Sequence, residues 1–131
     1  MLAYLWVAIG GALGSVARFW MSGAIASRVG ETFPVGTVAI NILGSLLIGF
    51  AAGLSAPDGR WMLSPAARQF VMIGFCGGYT TFSSFSLQTL KLIQDRQWLY
   101  AGGNILISVA LCLIGVWLGY LLASVINSRG V

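Results

Sequence analysis

Histidine is absent from this chain, and acidic side chains number only three: Glu31, Asp58 and Asp95. Two of them sit in polar connections, and Asp95 closes an apolar run rather than lying inside it. Proton relays and cation pathways through membranes use buried acids and histidines, and general acid–base catalysis leans on the same groups. A proton-driven antiporter and an intramembrane hydrolase are therefore disfavoured. Cysteine is scarce as well. Cys76 and Cys112 both fall in apolar stretches and read as small buried hydrophobes. A structural zinc site takes about four ligands, so no metal site of that kind and no disulfide are expected. Charge of either sign is rare, at 8% of residues against about 25% in soluble domains. The basic residues are scattered and form no patch, which leaves nucleic acid without a footprint. The N-terminal apolar run has no Lys or Arg ahead of it and is interrupted by Arg18, which argues against a cleaved leader.

What is present is apolar sequence, 58% of the chain. It falls into four runs, at 2–25, 36–54, 67–92 and 98–126, each close to the roughly 20 residues that a bilayer core demands. The expected fold is an all-α polytopic membrane protein, a single unit over residues 1–131 with four transmembrane helices. Short connections around Pro34, at Pro57-Asp58-Gly59 and at 94–97 make consecutive spans antiparallel neighbours. Ser64 reads as an N-cap with Pro65 in the first helical turn. Tyr4, Trp6, Trp20, Trp61, Trp98, Tyr100, Trp117 and Tyr120 mark the interfaces, where amphipathic rings collect. Gly10/Gly14, Gly49/Gly53, Gly74/Gly78 and Gly115/Gly119 are small pairs four apart, which let helix backbones approach closely.

The stretch GFCGGYTTFSSFS at 74–86 stands out. Its glycines and hydroxyl residues at membrane depth predict that the third helix is broken near its middle, at the glycines. Irregular backbone is tolerated there only when it is buried in protein or lines a cavity, and broken helices at that depth commonly hold ions or substrates. Phe82 and Phe85 follow the break among Thr80, Thr81, Ser83, Ser84 and Ser86. An aromatic ring carries a positive edge, so rings turned edge-on favour a small anion without trapping it. A lipid-facing segment has no need of so many hydroxyls. In the second span Asn41, with Thr37 one turn earlier, either bonds a neighbouring helix or faces a solute. On the fourth span Asn104, Ser108 and Cys112 form one stripe, preceded by Tyr100. They are either interhelical glue or donors to a passing anion. Arg18 either snorkels its charge to the interface or draws anions toward a vestibule.

Basic residues give almost no orientation. One side carries Arg60, Arg68 and Arg129, and the other carries Arg28, Lys91 and Arg96, with Arg18 able to tip the balance toward the latter. Lys and Arg in short loops normally set topology. A chain without that instruction inserts both ways, and two copies can pair as an antiparallel dual-topology homodimer.

With GTVAINILG at 36–44 and GGALGSVAR ending at Arg18, the 74–86 motif resembles the Fluc (CrcB) family of fluoride channels over essentially the whole chain. The resemblance implies an antiparallel homodimer in lipid, in the inner (plasma) membrane of a prokaryote, with two pores through which fluoride leaves passively. It implies that Phe82 and Phe85 line the pores, with Ser83 and Ser84 beside them, that Asn41 contacts the pathway near Thr37, and that Tyr100, Asn104 and Ser108 form a polar track. It also implies a structural sodium ion (Na+) at the dimer axis, held by the backbone carbonyls of Gly77 and Thr80 from both subunits. Two departures stand out. Asn104 takes the place of a hydroxyl residue on the track, and Gln88 stands where some members have a glutamate, so no acid's role carries over. The rival class is a small four-span drug/proton exchanger, which relies on an acid in its first span; here the only ionisable side chain in that run is Arg18.

Overall fold

Four helices long and apolar enough to cross a membrane make up the protein, seen in a computed structural model that describes residues 1–59 and 61–129. Arg60, one of the orientation charges, lies outside the described residues. Helix α1 spans Leu2–Val29 and α2 spans Val35–Leu54. The third span, Pro65–Gln94, is composite. It opens with α3 (Pro65–Arg68), continues as a π-helical stretch (Gln69–Cys76) and returns to α-helix in α4 (Gly77–Tyr79). It breaks at Thr80 and Thr81 and resumes as α5 (Phe82–Gln94). The fourth span is α6, Trp98–Ser128. No strand occurs among the described residues. The fold is all-α, as expected, with each span extended by about a turn or less beyond its apolar run.

The ends follow local chemistry. The Ser64 hydroxyl accepts the Ala67 N–H with Pro65 in the first helical turn, as the sequence predicts. At the far end of α5, Arg96 N–H reaches Ile93 O at 3.0 Å and Gln97 N–H reaches Leu92 O at 2.8 Å. This pair of bonds is a Schellman closure. Arg96 takes the left-handed φ of 58° that the closure demands, a place glycine usually fills.

Consecutive spans are neighbours, as expected, but they do not form the closest seams. The principal seams run between α2 and α6 and between α1 and the first half of the third span. The small residues explain the choice. A methyl at Gly10 or Gly14 would collide with the carbonyl oxygens of Phe70 or Phe75, and one at Gly78 with that of Gly11. On the other seam Gly49 abuts the Val116 carbonyl and Gly119 the Leu46 carbonyl. Small residues thus let backbone touch backbone along two seams.

The position of the break is a correction. Gly74, Gly77 and Gly78 are helical, and the break falls after them. Thr80 has φ −81° and ψ 159°, and Thr81 has φ −152° and ψ 111°. β-Branched side chains suit extended backbone. Gly74 and Gly78 serve close approach to α1, and the two threonines end the helix.

Candidate functional site

A broken helix leaves backbone donors and acceptors without helical partners. At Thr81, Asn41 of α2 satisfies both. The Thr81 N–H donates to Asn41 Oδ1 at 2.8 Å, and Asn41 Nδ2 donates to the Thr81 carbonyl at 3.0 Å. The Thr81 side chain caps α5: its Oγ1 accepts the Ser84 N–H at 3.2 Å and donates to Ser84 Oγ at 3.0 Å, with Ser83 Oγ at 3.3 Å. Before the break, Thr80 sends both its N–H and its hydroxyl to the Cys76 carbonyl, at 3.0 and 2.8 Å. The Gly78 carbonyl accepts from Arg18 Nε at 3.0 Å and from the Ser15 hydroxyl at 3.5 Å. A cation at that spot meets the negative end of the helix that stops there. The carbonyls of Gly77 and Thr80 accept no hydrogen bond among the described residues.

Two cavities lie along the groove between α2 and α5. The first, about 510 Å³, is lined by Thr37 and Gln88 together with Glu31, Lys91, Asp95 and Gln97. Gln88 and Gln97 each carry a buried amide oxygen without a hydrogen-bond partner among the described residues, the kind of atom that water satisfies in a polar cavity. The second, about 410 Å³, touches the break itself. Asn41, Thr80, Phe82, Phe85 and Ser108 line it, and among the described residues no charged side chain does. A single turn along α2 leads from Thr37 in the first to Asn41 in the second. Three residues along α5 lead from Gln88 back to Phe85. The two cavities thus share the α2 and α5 flanks, about one turn apart.

The structure brings Asn41, Phe82, Phe85, Ser108, Gly77 and Thr80 together around the second cavity. The two phenyl rings are 5.3 Å apart between centroids and tilted by 46°. They are unequal: Phe85 is 9% exposed and Phe82 is 76% exposed. Other candidates stand apart from that cavity. Thr37 lines the first one. Ser83 and Ser84 are engaged at the α5 cap. Tyr100 is exposed on α6, with its ring 6.0 Å from that of Phe33. Arg18 lines neither cavity. Asn104 is buried behind Ser108, which donates to it at 3.2 Å. Cys76 and Cys112 are free thiols, and both border the second cavity.

Thr89 was not among the sequence candidates. Its hydroxyl donates to the Phe85 carbonyl and accepts from Asn104 Nδ2. The signal was present: Phe85, Thr89 and Leu92 recur at helical spacing on the buried face of α5, with one hydroxyl in the series.

A polytopic helical membrane protein whose third span comes apart beside an uncharged, partly polar cavity is the class that this fold and site define. Residues 5–120 match the family model described as CrcB-like protein, Camphor Resistance (CrcB), and the chain belongs to that family. It is 56% identical over 128 residues to the "Fluoride-specific ion channel FluC" of Opitutus terrae, covering 98% of this chain and 97% of that one. The protein of the same name from Rhodospirillum rubrum is 58% identical over 126 residues, 96% of this chain and 98% of its own. That from Methylocella silvestris is 56% identical over 124 residues, 95% of each.

Proposed function

We propose that this chain is the subunit of a fluoride channel in a bacterial cell membrane, a passive exporter that catalyses no bond change. The observation that carries the reading is the uncharged cavity at the helix break. Fluoride is small and holds its water tightly, so a pore must replace that water with donors. Conduction also needs binding weak enough to release the ion, and a buried Lys or Arg in the cavity would hold an anion too well. Here the donors are neutral. Asn41 has a second Nδ2 proton beyond the one given to Thr81. The first-turn amides of Phe82 and Ser83 make no hydrogen bond among the described residues, and they sit at the positive end of α5. Phenyl edges add a diffuse positive surface.

The working unit in this reading is an antiparallel homodimer with two pores. Phe82 supports it: a ring that borders the cavity yet is 76% exposed in one subunit is waiting for a second wall. Gly77 has nothing within 4 Å of where a Cβ would stand, so its backbone is open to a partner. Sodium fits the same place. Oxygen ligands suit hard cations, and the unbonded carbonyls of Gly77 and Thr80 offer two oxygens from each copy.

The test is ion efflux from proteoliposomes. Fluoride is expected to leave rapidly and chloride negligibly, with no proton gradient imposed. Equal permeation of both halides rejects the assignment.

A further inference from the structure

Behind the second cavity runs a buried hydrogen-bonded chain. The Thr89 hydroxyl donates to the Phe85 carbonyl at 2.7 Å, Asn104 Nδ2 donates to Thr89 Oγ1 at 2.9 Å, and the Ser108 hydroxyl donates to Asn104 Oδ1 at 3.2 Å. The three side chains are 6%, 1% and 6% exposed. One end dictates the direction of the whole chain. A carbonyl can only accept, so the single Thr89 proton goes to Phe85. Thr89 then has only lone pairs to offer, and Asn104 must turn its amide nitrogen toward them. That leaves the Asn104 oxygen facing Ser108, which spends its own single proton there.

The consequence falls on the cavity. Ser108 lines it, yet its proton points away, toward Asn104. Lone pairs face the space beside Phe85, and lone pairs repel an anion. An anion gains the Ser108 O–H only by drawing it off Asn104. That link is the longest of the three and lies beyond the usual O–H···O range, so it is the link that yields.

We propose that Thr89 is a positioning residue for anion passage: acting through Asn104, it keeps the Ser108 hydroxyl a withheld donor, so that an anion beside Phe85 is held briefly rather than deeply. The proposal rests on the fluoride-channel reading. Brief holding is what a conducting site requires.

Thr89→Val keeps the branched shape and deletes the hydroxyl. Nothing then dictates the Asn104 amide, and the Ser108 proton is free to face the cavity. Fluoride flux measured against fluoride concentration is expected to show a half-saturating concentration lowered by about fivefold, the ratio set by one hydrogen bond of ordinary net strength, together with a lower maximal flux. Thr89→Ser restores the parent value, because it restores the donor. In a Ser108→Ala background Thr89→Val moves the half-saturating concentration no further. A merely structural role lowers flux in both backgrounds and leaves that concentration alone. Should Thr89→Val not assemble, Asn104→Leu cuts the chain at its centre and is expected to lower the half-saturating concentration in the same way. The geometry has its own readout: the side-chain amide resonance of Asn104 shifts in Thr89→Val and not in Thr89→Ser. Wild-type vesicles without fluoride efflux overturn the channel reading and this proposal with it. Wild-type efflux with an unmoved half-saturating concentration in the variants overturns this proposal alone.

Discussion

Asn41 acts toward Thr81 as one peptide group acts toward another, giving a donor and taking one across the α2–α5 groove. Asn41→Leu keeps the volume and strands both Thr81 backbone groups at membrane depth. It is expected to destabilise the protein by about 2 kcal/mol or more, since two groups lose their partner and each unpaired buried group costs about 1–3 kcal/mol, and to slow fluoride efflux. Thermal unfolding in detergent beside vesicle flux checks it, and an unchanged melting temperature removes Asn41 from the role of clamp. The phenylalanines separate by burial. Phe85→Ala opens a hole in the packing and costs about 3 kcal/mol or more, so lost flux there mixes folding with conduction. Phe82 is largely outside the subunit's own packing, so Phe82→Ala reads the ring itself. Efflux in that variant is expected to fall by about tenfold, the factor that 1.4 kcal/mol sets, in protein that still purifies as wild type; undiminished efflux takes the ring out of the pathway. Four of the residues that line the second cavity stood out by residue type and spacing: Asn41, Phe82, Phe85 and Ser108. Thr89 was not, because its importance depends on which side of α6 Asn104 faces, and helical spacing within one span says nothing about the rotation of another.

At the scale of elements, hydropathy alone placed all four spans, because a bilayer leaves a helix few ways to satisfy its backbone. The break was foreseen but displaced. Glycine weakens a helix wherever helix and coil compete in water, whereas here α1 packs against Gly74 and Gly78 and keeps them helical. The extended preference of Thr80 and Thr81 then decides, helped by a cap that the Thr81-x-x-Ser84 spacing already contained. The seams were hidden for a related reason: small pairs say that a helix has a close neighbour, not which one. Thr81→Ala tests the cap. It is expected to cost about 1 kcal/mol, and the double variant with Asn41→Leu is expected to cost less than the two changes summed, because both side chains hold the same turn. Strict additivity in thermal unfolding means that cap and clamp act independently.

For the whole molecule, the orientation of the chain in the bilayer turns on its basic residues, and the structure bears on it through Arg18. Its Nε is bonded to the Gly78 carbonyl beside the break, so its charge is engaged within the bundle rather than at a membrane flank. Topology is set by basic residues in loops and at span ends. With Arg18 set aside, three residues on one side (Arg60, Arg68, Arg129) stand against three on the other (Arg28, Lys91, Arg96). That balance predicts insertion in both orientations, which is what an antiparallel pair needs. A reporter cysteine at the exposed loop position Glu31, in a Cys76→Ala/Cys112→Ala background, is expected to react with impermeant label from both faces of the membrane. Two lysines added before Leu2 tilt the count one way, and two added in the 94–97 connection tilt it the other. Either variant alone is expected to lose fluoride efflux, because copies of one orientation cannot make the antiparallel pair. Expressed together, the two supply one partner of each orientation, and efflux returns. Full efflux from either variant alone, or labelling of the parent from one face only, means that the working unit does not require opposed subunits.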